Sequence, residues 1–152
     1  MKNYATEKLL LIEKVLLLKS LDIFRETPEN ILADVAVLLN EKEYEQGALI
    51  FEENEIGDCM YIIHKGTVNI HKGTTTLALL KENEVFGELS LLDAETRSAS
   101  ATAQTDCFLY EIKQEPFYDL MEARPEVMKG IMKMLCKRLR AQNEMTIFLQ
   151  QQ

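Results

Sequence analysis

The residues Phe86-Gly87-Glu88-Leu89-Ser90-Leu91-Leu92, followed by Thr96-Arg97-Ser98-Ala99-Ser100, concentrate this chain's most specific chemistry. Gly87 is the residue type that lets a backbone turn tightly or approach a ligand closely. Leu89 to Leu92 can form one short helical turn, whose unsatisfied N–H groups face an anion. The guanidinium of Arg97 offers a planar fork of donors suited to two phosphate oxygens. The small residues Ser98, Ala99 and Ser100 after it leave room for a ligand. Glu88 fits beside a phosphate only if its carboxylate accepts a hydroxyl of the same ligand. The set points to a small anion with a hydroxyl near its charge, such as a ribose ring carrying a cyclic phosphate.

Other chemistries fit less well. Two histidines, His64 and His71, lie seven residues apart on either side of the Gly66 turn. They are expected at solvent-facing strand positions and make no metal set, which needs several ligands facing one cavity. No nucleophile-and-base arrangement is visible, so an enzyme is not expected.

The elements that must position these residues fall into three stretches. Thr6 to about Leu39 reads as helical, with Leu9, Ile12, Val15 and Leu16 at helical spacing. Within it Thr27-Pro28-Glu29 reads as a helix start, with the Thr27 hydroxyl as N-cap. From Glu43 to about Lys113 the runs are short and β-forming: 48–51, 60–63, 68–71, 77–80, 98–103 and 107–112, separated by turn signals. That pattern predicts a small antiparallel barrel or jelly roll, with a sandwich as the alternative. From Gln114 the helical period returns, and a last helix is expected from about Glu126 to Asn143 or beyond. Val127, Met128, Ile131, Met132, Leu135 and Leu139 are read as one apolar stripe, and Met128, Met132 and Met134 as core or dimer packing. The organisation is 1–42 helical, 43–113 β-roll and 114–152 helical, as one domain overall.

The 152 residues are 47% hydrophobic, enough for a core. The formal net charge of −8 argues against general nucleic-acid or anionic-membrane binding. Three widely spaced cysteines read as reduced thiols of a cytoplasmic protein. The apolar run Leu9–Leu18 is too short to cross a bilayer, and reads as a buried or partner-facing helix.

The segment 86–92 with Arg97-Ser98-Ala99 resembles the phosphate-binding cassette of cyclic-nucleotide-binding domains. Gly47-Ala48-Leu49-Ile50-Phe51, Gly57-Asp58-Cys59-Met60-Tyr61-Ile62-Ile63 and the Gly66 turn extend the resemblance over most of the chain. It implies an α+β fold: an eight-stranded antiparallel β-roll, also called a jelly roll or double-stranded β-helix, with helices before and after. It implies that Glu88 accepts the ribose 2′-hydroxyl and that Arg97 pairs with the phosphate oxygens. Backbone around Gly87, Leu89 and Ser90, with Ser98 and Ala99, completes the phosphate contacts. Ile70 and Leu77 are implied to pack near sugar and base, Arg138, Gln142 and Asn143 to reach the base, and Phe86 is a further candidate ligand-binding residue. The resemblance implies no cofactor, a cyclic AMP ligand favoured over cyclic GMP, an effector protein or a fused-domain equivalent as partner, and a homodimer through the last helix. Too little sequence follows that helix for a DNA-reading domain like that of bacterial cyclic-AMP regulators, so no DNA contact is expected. The rival expectation is a β-roll scaffold that binds no nucleotide. Two turn glycines of the family are Asn54 and Asn83 here, and asparagine tolerates the same left-handed backbone. Asp93 and Glu95 add negative charge near the anion, screened within about 8 Å if exposed.

Overall fold

The computed structural model describes residues 8–152, so the expected helical start at Thr6 lies outside it. Two compact units emerge. One comprises Val37–Tyr118 with Lys8 and Leu9, and the other comprises Leu10–Ala36 and Asp119–Gln152.

The first unit is the β-roll. One four-stranded sheet has the order β1 (Asn40–Tyr44), β10 (Cys107–Lys113), β4 (Cys59–Lys65), β7 (Val85–Phe86). The other runs β2 (Leu49–Phe51), β9 (Ser100–Ala103), β5 (Val68–Lys72), β6 (Thr75–Leu80). These eight strands are the expected antiparallel roll, and every pairing is antiparallel. A small pair, β3 (Ile56–Gly57) with β8 (Glu95–Thr96), is added to them. Alternation sends Cys59, Tyr61 and Ile63 of β4 and Cys107 and Leu109 of β10 to one interior. Val68, Phe86, Ala101 and Ala103 fill the rest of it. The six expected runs all contain strands. β1 was missed because its charged sequence and exposed positions carry little of the apolar signal.

Asn54 and Asn83 adopt φ of 74° and 69°, the left-handed turns expected of them. The histidines are more engaged than expected. His64 is half-buried, edge-on to Phe108 at 5.3 Å. Both ring nitrogens of His71 are within hydrogen-bonding distance of partners, Gly73 O and Thr102 Oγ1, each at 2.8 Å.

The second unit is helical: α1 (Leu11–Ser20), a 3-10 turn (Asp22–Phe24), α2 (Glu29–Ala36) and α5 (Pro125–Gln150). Between the short α3 (Glu88–Leu92) of the roll and α5 lies α4 (Gln114–Ala123), whose chain passes from the first unit into the second. The Glu13 carboxylate accepts from the Leu10 N–H at 3.0 Å and so closes the start of α1.

Around α1, Leu17, Leu18 and Leu21 are buried, while Ile12 and Leu16 face outward. Two expectations are corrected here. Thr27 does not cap α2: its hydroxyl is buried without a hydrogen-bond partner, and the Pro28 carbonyl receives Ile31 and Leu32 at 3.0 Å. The single apolar stripe of α5 is two faces. Val127, Ile131 and Met134 are buried, whereas Met128, Met132 and Leu139 are exposed. Gly130 shares the buried face because a Cβ there would strike Thr27 Oγ1.

Candidate ligand site

Gly87 ends β7 and opens α3 with φ of 74°. A side chain there would be strained, and its Cβ would also fall 2.5 Å from Arg97 Nη1 and 2.9 Å from the Cys59 carbonyl. Gly57 closes on Arg97 from another direction, with a hypothetical Cβ 2.5 Å from Cζ. Two glycines therefore form a slot that only a side chain as flat as a guanidinium fills.

Arg97 is held at both backbone ends. Its N–H donates to Glu55 O at 2.7 Å, and its carbonyl accepts from Asn54 N–H at 2.9 Å. The left-handed turn at Asn54 is what brings that N–H around. The Arg97 side chain is only 7% exposed. Nη1 donates to Ser90 Oγ at 3.1 Å, and Nη2 donates to Cys59 O at 3.0 Å and to Cys59 Sγ at 3.4 Å. Cζ lies 4.2 Å from the centroid of the Phe51 ring, a cation–π contact worth about 0.5–2 kcal/mol. Phe51 in turn belongs to an aromatic group with Tyr61 and Phe86, the latter two stacked at 5.1 Å. Burial pushes the Cys59 thiol above its ordinary range, and the Tyr61 hydroxyl is raised by burial as well.

The structure thus brings Phe86, Gly87, Ser90 and Arg97 together. Glu88 is half-buried at the first position of α3, Leu89 is exposed beside it, and Ser98 is exposed while Ala99 is buried. Asp93 and Glu95 are exposed, where solvent screens them. Ile70 packs against the roll interior, while Leu77 is 55% exposed on the opposite face of β6 from Leu80. Arg138, Gln142 and Asn143 belong to α5 in the helical unit, and Arg138 faces Asp22 at 3.8 Å. Sequence reasoning missed Gly57, Cys59 and Phe51 as neighbours of the arginine. Their types carry no charge, so the only signal was the Gly57-Asp58-Cys59 entry to β4. Among the described residues no group of histidine, cysteine and acidic side chains could hold a metal ion.

A second set of contacts grips the far end of α3. Gln114 Nε2 donates to Ser90 O at 3.4 Å, and the Tyr118 hydroxyl donates to Leu92 O. Ser90 therefore bonds Arg97 through its hydroxyl and α4 through its carbonyl.

A β-roll that buries an arginine behind a glycine-led helical turn is the class of fold this chain presents. Residues 41–124 match the family described as the cyclic nucleotide-binding domain, and the chain belongs to it. It is 39% identical over 102 residues to a Cyclic AMP receptor protein of Thermus thermophilus, covering 64% of this chain and 47% of that protein. It is 29% identical over 126 residues to a CRP-like cAMP-activated global transcriptional regulator of Mycobacterium tuberculosis, covering 80% and 56%. The N-terminal domain of a transcriptional regulator from Streptomyces coelicolor superposes with a TM-score of 0.80 at 27% identity, covering 86% of this chain and 94% of that one. The chain spans about half the length of the curated relatives it matches. The family is a ligand-binding regulatory domain, not an enzyme. Among the described residues no helix is long and apolar enough to cross a membrane.

Proposed function

We propose that this domain binds cyclic AMP in preference to cyclic GMP and relays occupancy through α4 into α5. The carrying observation is the buried Arg97 in its two-glycine slot, with Glu88 on the adjoining turn. Arg97 takes the phosphate oxygens, Glu88 accepts the ribose 2′-hydroxyl, and backbone around Gly87 and Leu89 with Ser98 completes the phosphate contacts. The names of two relatives, a Cyclic AMP receptor protein and a cAMP-activated regulator, support the choice of base.

The relay follows the bonds of Ser90. A phosphate that draws Arg97 away from the Ser90 hydroxyl shifts α3, and Gln114 and Tyr118 feel that shift at the start of α4. The ligand moves the equilibrium only by its differential affinity for the two arrangements. Met128, Met132, Leu135 and Leu139 of α5 recur at alternating spacings of four and three, the pattern of a two-helix seam, which supports a homodimer of this cytoplasmic regulator. Its output is an effector protein or a fused domain in that role.

The test is thermal unfolding with cyclic AMP, cyclic GMP and linear AMP after bound nucleotide has been stripped. At a hundred times the dissociation constant a ligand stabilises by about 2.7 kcal/mol. That corresponds to a midpoint rise of about 5–10 °C for a chain of this size. The rise is expected with cyclic AMP and absent in Arg97→Ala. No rise with any cyclic nucleotide at millimolar concentration would defeat the reading.

A further inference from the structure

Arg97 and Glu111 are the two buried charged side chains among the described residues, and both belong to the roll. The donors of Arg97 go to a hydroxyl, a carbonyl and a thiol rather than to a carboxylate. Glu111 is 5% exposed, and its Oε1 has no hydrogen-bond partner. It continues the inward series Cys107, Leu109, Glu111 on β10 and lies opposite Tyr61 of β4. Cys59 precedes Tyr61 on the same face, and its sulfur touches Arg97. Cys59 therefore touches Arg97 and shares the interior sheet face of Glu111, and the two charges act on its thiol in opposite senses. Glu111 also acts on Tyr44 and Tyr61.

A guanidinium taken out of water without an opposing charge is costly, and so is a carboxylate with an orphan oxygen. Two such groups in one low-dielectric interior interact over distances that water would screen. We propose that Glu111 is the interior counter-charge of Arg97, a positioning residue that sets how strongly the arginine takes an anion. In the unliganded protein it compensates the buried guanidinium. When a phosphate arrives, the same negative charge opposes it. Glu111 thus trades ligand affinity for stability of the empty site, and this refinement rests on the cyclic-nucleotide reading for its second half only.

The closing experiment is a double-mutant cycle on the full chain: Arg97→Gln, Glu111→Gln and both together, unfolded without ligand. With Arg97 present, Glu111→Gln is expected to lower the midpoint by about 2–4 °C. With Arg97→Gln, the carboxylate has lost its reason to be there, and Glu111→Gln is expected to raise the midpoint. A Glu111→Gln protein too unstable to measure should be recovered in the double variant. Equal losses in both backgrounds would overturn the proposal. Calorimetric titration of cyclic AMP supplies the second arm. Glu111→Gln should bind about three- to tenfold tighter than wild type, and Glu111→Asp, which keeps the charge, within about twofold of it. A packing role would leave affinity unchanged or weaken it, and either result overturns the second half. If the wild type takes up no cyclic nucleotide, the functional reading fails while the ligand-free cycle still decides the charge pair.

Discussion

Two buried polar side chains, one in each unit, are treated in opposite ways. In the roll, Arg97 is given a hydroxyl, a backbone carbonyl, a thiol and an aromatic face. In the helical unit, Thr27 is fully buried and its hydroxyl receives nothing. The glycines divide the same way. Gly57 and Gly87 make room for a charged group, while Gly130 makes room for one helix to cross the start of another. The roll is arranged around chemistry and the helical unit around contact. The second also leaves Met128, Met132, Leu139, Met145 and Phe148 of α5 exposed.

The contrast breaks most visibly at Gly87. Gly87→Ala adds backbone strain of about 1–3 kcal/mol and drives a methyl into Arg97 and the Cys59 carbonyl. We expect cyclic AMP affinity by calorimetry to fall roughly ten- to hundredfold; wild-type affinity would show that the slot is not what holds the arginine. In the helical unit Gly130→Ala overpacks the crossing, and denaturant unfolding should show a loss of about 1–3 kcal/mol. Thr27→Val should act in the other direction. Removing an orphaned buried hydroxyl is expected to stabilise by about 1 kcal/mol, and a loss would mean that the hydroxyl finds a partner in solution.

The smallest effect belongs to the exposed pair of Glu26 and Lys137. Its hydrogen bond to Lys137 holds the Glu26 carboxyl below the ordinary carboxylate range. A depressed folded-state pKa contributes stability above the unfolded value, and that contribution disappears as pH falls through the folded one. The midpoint difference between wild type and Lys137→Met should therefore shrink on acidification, and also with added salt. A difference that persists in acid would assign Lys137 a packing role instead.

The meeting of the Gly87 turn with Arg97 was legible because its information is local: Gly87, Ser90 and Arg97 lie within one short stretch whose residue types have few other joint uses. The main strands were legible for the same reason. What escaped was assembled from afar. Cys59 and Phe51 reach Arg97 from other strands, and nothing in their types announces it. The two-residue strands β3, β7 and β8 are too short to show a period. Thr27 looked like a cap because Thr-Pro-Glu is a cap in isolation, but the tertiary crossing with Gly130 claimed the side chain. The single stripe assigned to α5 failed because apolar residues on a helix do not record which of two neighbouring faces is covered.

The outer strand β6 has a consequence for handling the protein. Thr75-Thr76-Leu77-Ala78-Leu79-Leu80 carries no charge and no proline, lies at the end of its sheet, and shows Leu77 and Leu79 at least half exposed. Such a border is a template for adding another strand. What opposes such strand addition in dilute neutral buffer is mutual repulsion from a net charge of −8. Mild acid or strong salt weakens that repulsion, and slow clouding that begins along β6 is the expected failure of a concentrated stock.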